Sequence, residues 1–285
     1  MRRNWYKIPR ELYLWVNIVL MVYPLYFMVI SAMKSNAEFY NNAFALPVKA
    51  WNNLLHNMTM AWTGQVGAVQ YTGFGTMLFN TVFLTSISLV VMVLIALLAG
   101  YAMGTKAFAG KSVFMVFIMT LQTVPFFGYV MPLYLFTDTL RLNNKLMGVV
   151  PVYVAVALPM TIILLQGFFR SFPKEIEEAA LIDGCGELRK FWSIVVPIAK
   201  PAVASMAIIN FMGYWNEIAI ASLMLNGEKL RTINIGVLMT NSQTGVMNYA
   251  YVFAILVLSA IPNFIFFNIF QRSIIKGISV GSLKG

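Results

Sequence analysis

The side chains able to do chemistry are few and gathered. Half of the ten acidic residues of this 285-residue chain, Glu175, Glu177, Glu178, Asp183 and Glu187, fall in one stretch, PKEIEEAALIDGCGELRKFWSIVVPIAKP, from Pro173 to Pro201. Spaced this way, carboxylates act electrostatically at a helix start. Glu175, Glu177 and Glu178 follow Pro173, where the positive end of a helix favours acids, and Ser171 or Phe172 is placed to cap it. Ile176, Ala179, Ala180 and Asp183 recur at i, i+3, i+4, i+7 and share one face. Two adjacent alanines keep that face low, so another protein can approach the backbone; the same face also suits a helix resting on a membrane. Gly184 is placed to end the helix in a left-handed turn. A second amphipathic piece, 187–196, is expected to stop at Pro197.

Other chemistry is thin. His56 is the only histidine, so neither an HExxH zinc helix nor a Ser–His pair can be built within one chain. The single Cys185 allows no internal disulfide and shows no metal-ligand spacing, so no metal site is expected and it reads as a structural thiol. Gly104-Thr-Lys-Ala-Phe-Ala-Gly110-Lys-Ser112 resembles a phosphate loop but has one residue too many between its glycines, and apolar helices flank it where a strand is required. Lys106 and Lys111 are expected to anchor a short turn, and no catalytic residue is assigned. Glu217 is the one formal charge within the apolar runs. It either lines a watery path or ties two helices together.

The elements that position these residues are membrane spans. The chain is 60% hydrophobic and 11% charged, against roughly 25% charged in soluble domains. At about 20 apolar residues per crossing, the hydropathy predicts six helices, near 12–33, 79–103, 113–136, 147–169, 202–225 and 250–271. This is an all-α integral membrane protein, with a short N-terminal segment (1–11) and one transmembrane domain (12–285). With the N-terminus inside, only Lys34, Lys49, Arg141, Lys145, Lys229 and Arg231 of the basic residues lie outside. The positive-inside bias therefore places both termini and the 170–201 loop in the cytoplasm. The net charge of +10 reports that topology, and no basic face for nucleic acid is visible. The N-terminal apolar run is too long for a signal-peptide core. In the outer segment, Trp51, Leu54, Leu55, Met58 and Trp62 recur at helical spacing, as in an interfacial helix or an ordinary packed loop helix.

Glu178-Ala179-Ala180-Leu-Ile-Asp183-Gly184, followed by Phe191, Ile194, Pro197 and Pro201, resembles the EAA motif of permease subunits in ABC importers. Cys185 stands where that pattern usually has alanine. Ser31-Ala-Met-Lys34, Asn80, Pro125, Pro132, Trp215-Asn216-Glu217 and the tail from Gln271 to Gly285 are similar to the carbohydrate branch. Nearly the whole chain resembles the smaller, six-span, MalG-like permease of maltose-type, binding-protein-dependent importers.

The resemblance implies a type I importer permease fold. A second, MalF-like permease subunit pairs with this one in the lipid bilayer, an ABC ATPase dimer binds ATP and Mg, and an extracytoplasmic solute-binding protein delivers sugar. This chain itself binds no cofactor and is not an enzyme. Glu178, Ala179, Ala180, Asp183 and Gly184, with Gly186 and Pro197, are implied to form the ATPase-coupling loop, and Gly281, Ser282, Leu283, Lys284 and Gly285 a tail reaching the ATPase. The resemblance further implies that closure of the ATPases moves this loop, 170–201, the elbow of the chain, and switches the cavity between inward- and outward-facing states. Asn210, Tyr214, Asn216 and Glu217 are the candidates for the translocation path. The competing reading is a stand-alone secondary carrier or channel using Glu217.

Overall fold

The computed structural model describes residues 7–67, 69–239 and 247–282. Apart from a two-residue antiparallel ladder, Gln65–Val66 against Val69–Gln70, the regular structure is helical. Lipid demands this, because a helix satisfies its backbone N–H and C=O groups within one segment. In chain order come α1 (Lys7–Ala32), α2 (Asn36–Asn41), α3 (Ala50–Thr63), α4 (Phe74–Thr105), α5 (Lys111–Leu121), α6 (Phe126–Thr139) and α7 (Leu146–Arg170). The elbow contributes α8 (Lys174–Ile182) and α9 (Glu187–Lys190). Then follow α10 (Val196–Trp215), α11 (Ala219–Met224), α12 (Ile233–Met239) and α13 (Tyr249–Ser282).

Among the described residues five stretches, Glu11–Ala32, Phe74–Thr105, Leu146–Arg170, Glu187–Trp215 and Tyr249–Phe270, are long and apolar enough to cross a bilayer. The span expected at 113–136 is broken instead, with α5 and α6 meeting at 103°. Pro125 accounts for the break: it disfavours helical geometry in the residue before it and is itself extended, at φ −65° and ψ 138°, as the cap of α6. Taken as one crossing, the bent pair brings the number to six.

The span expected at 202–225 is also displaced. Its helix begins at Glu187 and passes through Pro197. Residues Phe191–Val195 form a π turn, with the Val196 N–H donating to the Phe191 carbonyl. A proline ring clashes with the carbonyl four residues before it; here that is Ser193, inside the widened turn, and the helix continues where a stop was expected. At its other end the helix closes at Trp215, so Asn216 and Glu217 sit in a break before α11 and not within a continuous span.

The chain forms two compact units, 1–78 with 235–265 and 79–234 with 266–285. In the first, rings join α1, α2 and α13: Phe27 lies 5.7 Å from Phe253, and Phe39 stacks on Tyr249 at 4.4 Å. The expected loop helix is α3, which turns Trp51, Leu55 and Trp62 outward and buries Asn57 and Ala61. Ser35 and Glu38 cap α2 reciprocally. In the second unit, α4 meets α7 through glycine. A Cβ added to Gly100 would lie 2.7 Å from that of Leu165, and one on Gly104 would collide with Phe169. Glycines four apart permit such backbone approach.

Candidate functional site

The elbow is built on one helix with a defined beginning and end. Pro173, extended at φ −60° and ψ 123°, is itself the cap residue of α8. Ser171, expected as a cap, instead donates its hydroxyl to the Phe168 carbonyl at 2.8 Å. At the far end the Cys185 N–H reaches the Ala180 carbonyl at 2.9 Å and the Gly184 N–H reaches Leu181 at 3.0 Å. This is the Schellman pairing, and it requires the left-handed φ of +73° that Gly184 adopts.

Burial decides which way α8 faces. Ala180 is 3% exposed and turned into its own chain, so the face expected to be low and outward is partly an internal packing face. Large apolar side chains are exposed here too: Ile182, 86% exposed, with Leu181 and Leu188. Ala179, Glu178, Asp183, Gly184, Gly186 and Pro197 are exposed on the same stretch. Leu181 and Ile182 lie at the end of α8, and Leu188 lies on α9.

Beneath this surface lies a charge network. Lys190 donates to Glu187 at 2.9 Å and lies 3.8 Å from Glu177 of α8. Glu187 also receives Lys106, from the end of α4, at 2.9 Å. Tyr101 of α4, with its ring 5.5 Å from Phe169 and 5.2 Å from Phe191, forms the aromatic floor.

A second candidate site is a cavity of ≈ 290 Å³ against α7, α10 and α11, to which Tyr153, Asn210, Tyr214 and Glu217 bring polar groups. The Tyr153 and Tyr214 rings stack at 5.3 Å, and the Tyr214 hydroxyl donates to the Tyr153 carbonyl at 3.2 Å. Glu217 accepts from the Tyr153 hydroxyl at 2.7 Å and from the N–H groups of Ile220 and Ala221 at 2.7 and 3.0 Å. Asn210 donates to Thr161 at 3.1 Å. The carboxylate thus ties α7 to the break before α11 while lining the cavity. Among the described residues no three His, Cys, Asp or Glu side chains converge as metal ligands.

Residues 96–280 match the model of the family described as "Binding-protein-dependent transport system inner membrane component". The chain belongs to this family of permeases. Over 287 aligned residues, 100% of the permease and 91% of its relative, it is 32% identical to "Probable ABC transporter permease protein YurM" of Bacillus subtilis. It is 30% identical to "Diacetylchitobiose uptake system permease protein NgcG" of Streptomyces coelicolor, covering 96% of the permease and 87% of that protein. A crystal structure of a bacterial ABC transporter importing the acidic polysaccharide alginate contains a chain of the same fold. Its TM-score is 0.77 at 23% identity, over 94% of the permease and 95% of that chain.

Of the residues expected on the path, Asn210, Tyr214 and Glu217 come together in the permease. Asn216 does not line the cavity; it is exposed and donates to the Met212 carbonyl of its own helix at 2.8 Å. Tyr153 went unrecognised, because a tyrosine in an apolar run gives no sign of its partner until α10 and α11 are placed. Gly281 and Ser282 end α13, while Leu283, Lys284 and Gly285 lie outside the described residues.

Proposed function

We propose that this permease is one half of the translocation path of an ATP-driven carbohydrate importer, and that α8 and α9 form the element an ABC ATPase grips. The supporting observation is the exposure of Leu181, Ile182 and Leu188 on the two short helices that flank the left-handed turn at Gly184. Glu178, Ala179, Asp183, Gly184, Gly186 and Pro197 frame that contact, Ala180 sets the seating of α8, and the tail Gly281–Gly285 reaches the same partner. In this reading the elbow and both termini are cytoplasmic, in keeping with the lysine and arginine asymmetry. A MalF-like permease completes the path, a solute-binding protein delivers the cargo on the opposite face, and ATP and Mg belong to the ATPase. This chain binds no cofactor and hydrolyses nothing.

The carbohydrate assignment draws on the name of the Streptomyces relative and on the cavity. Two tyrosines, an amide and a carboxylate around ≈ 290 Å³ offer the hydrogen bonds and ring faces that a polyhydroxylated solute uses. A carrier driven by Glu217 is disfavoured, since that carboxylate is engaged by three donors. The decisive experiment is co-purification of the ATPase with Ile182→Asp. A charge at an apolar anchor is expected to weaken docking by about thirtyfold, as for a hot spot of about 2 kcal/mol, with membrane insertion intact. Undiminished ATPase in that complex refutes the docking assignment.

A further inference from the structure

Lys106 and Glu187 are 81 residues apart in the chain, yet their ion pair joins the end of α4 directly to the elbow. By the covalent route the same two residues are separated by α5, α6, α7 and α8. Glu187 is the middle of a series. On one side it meets Lys190, which is 1% exposed and also faces Glu177; on the other it meets Lys106, with both partners substantially exposed. Lys106 is itself steadied. Its ammonium lies 5.7 Å over the Tyr101 ring, and its carbonyl accepts from Lys111 at 2.8 Å.

The two halves of the series differ in strength. The Lys190 half is dry at the lysine, which faces two carboxylates and keeps Glu177 at 3.8 Å when the charge of Glu187 is removed. The Lys106 half is wet, and exposed pairs of that kind contribute little to stability. A weak, breakable contact placed between two separately built elements is poorly explained as a fold stabiliser. It is well placed to transmit position.

We propose that Lys106, Glu187 and Lys190 form a link that carries displacement of α8 and α9 to α4, making them positioning residues of the transport cycle. Because Gly100 and Gly104 hold α4 against α7, the displacement reaches both helices. The proposal rests on the reading of the elbow as the ATPase-docking element. A link in series has a definite signature: breaking it once or twice has the same effect, whereas independent contributions add.

The test uses the full complex with its partner permease, ATPase and solute-binding protein in proteoliposomes. Solute moved per ATP hydrolysed is measured beside ATPase retention and melting temperature. Lys106→Met, Glu187→Gln and the double variant are expected to lower the transport ratio equally, by roughly five- to tenfold as for coupled neighbours. ATPase retention and melting temperature stay as in the wild type. Lys190→Met, which removes the buried charge and leaves carboxylates that water reaches, lowers the same ratio without loss of melting temperature. Additive losses in the double variant, an unchanged ratio, or a ratio that merely follows a falling melting temperature each overturn the link. If Ile182→Asp sheds the ATPase while the link variants transport normally, the docking reading stands and the link falls. If Ile182→Asp keeps its ATPase, the docking reading falls and takes the link with it.

Discussion

Lys34 and Lys190 are both withdrawn from water, each 1% exposed, and their surroundings are unlike. Lys34 follows α1 and donates to the backbone carbonyls of Asn42, at 3.4 Å, and Ala43. Its nearby acid, Glu38, is engaged elsewhere, accepting from the Ser35 N–H at 2.7 Å, the Val48 N–H at 3.0 Å and the Asn53 amide at 2.9 Å. Asn57 closes the cluster by donating to the Ala32 and Lys34 carbonyls, each at 2.8 Å. Lys190, by contrast, is held by carboxylates from two elements. Carbonyl oxygens eight and nine residues along fix a local loop in one shape. Carboxylates on separate helices join parts that can shift. The first lysine is a staple and the second a joint.

That contrast breaks most sharply at Lys34. Lys34→Met leaves the half-buried Ala43 carbonyl without its Lys34 donor, while the Asn42 carbonyl keeps the Ala45 N–H at 3.3 Å, and an unpaired group of this kind costs about 1–3 kcal/mol. A large fall in melting temperature by scanning fluorimetry is expected; an unchanged melt removes the staple. Glu38→Gln comes next, at about 1 kcal/mol for a weakened cap. The Ser35 backbone N–H, foremost, holds the Glu38 carboxyl below its usual range, helped by Val48, the Ser35 hydroxyl and Asn53 against partial burial. Its folded pKa is therefore lower than its unfolded one, near 4.3. The stabilisation is present above the unfolded value and lost as pH falls through the folded one. Glu38→Gln should flatten the acid limb of melting temperature against pH, and an identical limb in the variant contradicts this. Burial lowers the Lys34 pKa, while the Glu38 charge works the other way. The smallest stability effect belongs to Lys190→Met, expected to be near neutral because the buried charge itself is removed and water reaches the carboxylates left behind, Glu187 and Glu177; a clear drop in melting temperature would make Lys190 a second staple.

Much of this molecule can be read from its residues. Charge-free runs mark most of the long helices, and the step from Asp183 to Gly184 announces the left-handed end of α8. The periodicity of Trp51, Leu55 and Trp62 announces α3. What escapes the sequence is decided by partners. Periodicity places Ala179 and Ala180 on one face but cannot say that Ala180 turns inward and Ile182 outward. Hydropathy stays high across Asn216 and Glu217, so it hides a break that carboxylate bonds to Ile220 and Ala221 stabilise. Pro197 reads as a stop because the π turn before it has no composition of its own. Gly100 and Gly104 did carry a signal, the spacing of close-packed membrane helices, and it points to the contact with α7.

That contact has a mechanical consequence. Where hydrogen atoms stand in for side chains at two successive turns, α4 cannot slip lengthwise past Leu165 and Phe169 without first being prised away by the thickness of a methyl group. A push that tilts that end of α4 therefore bears directly on α7 at Leu165 and Phe169.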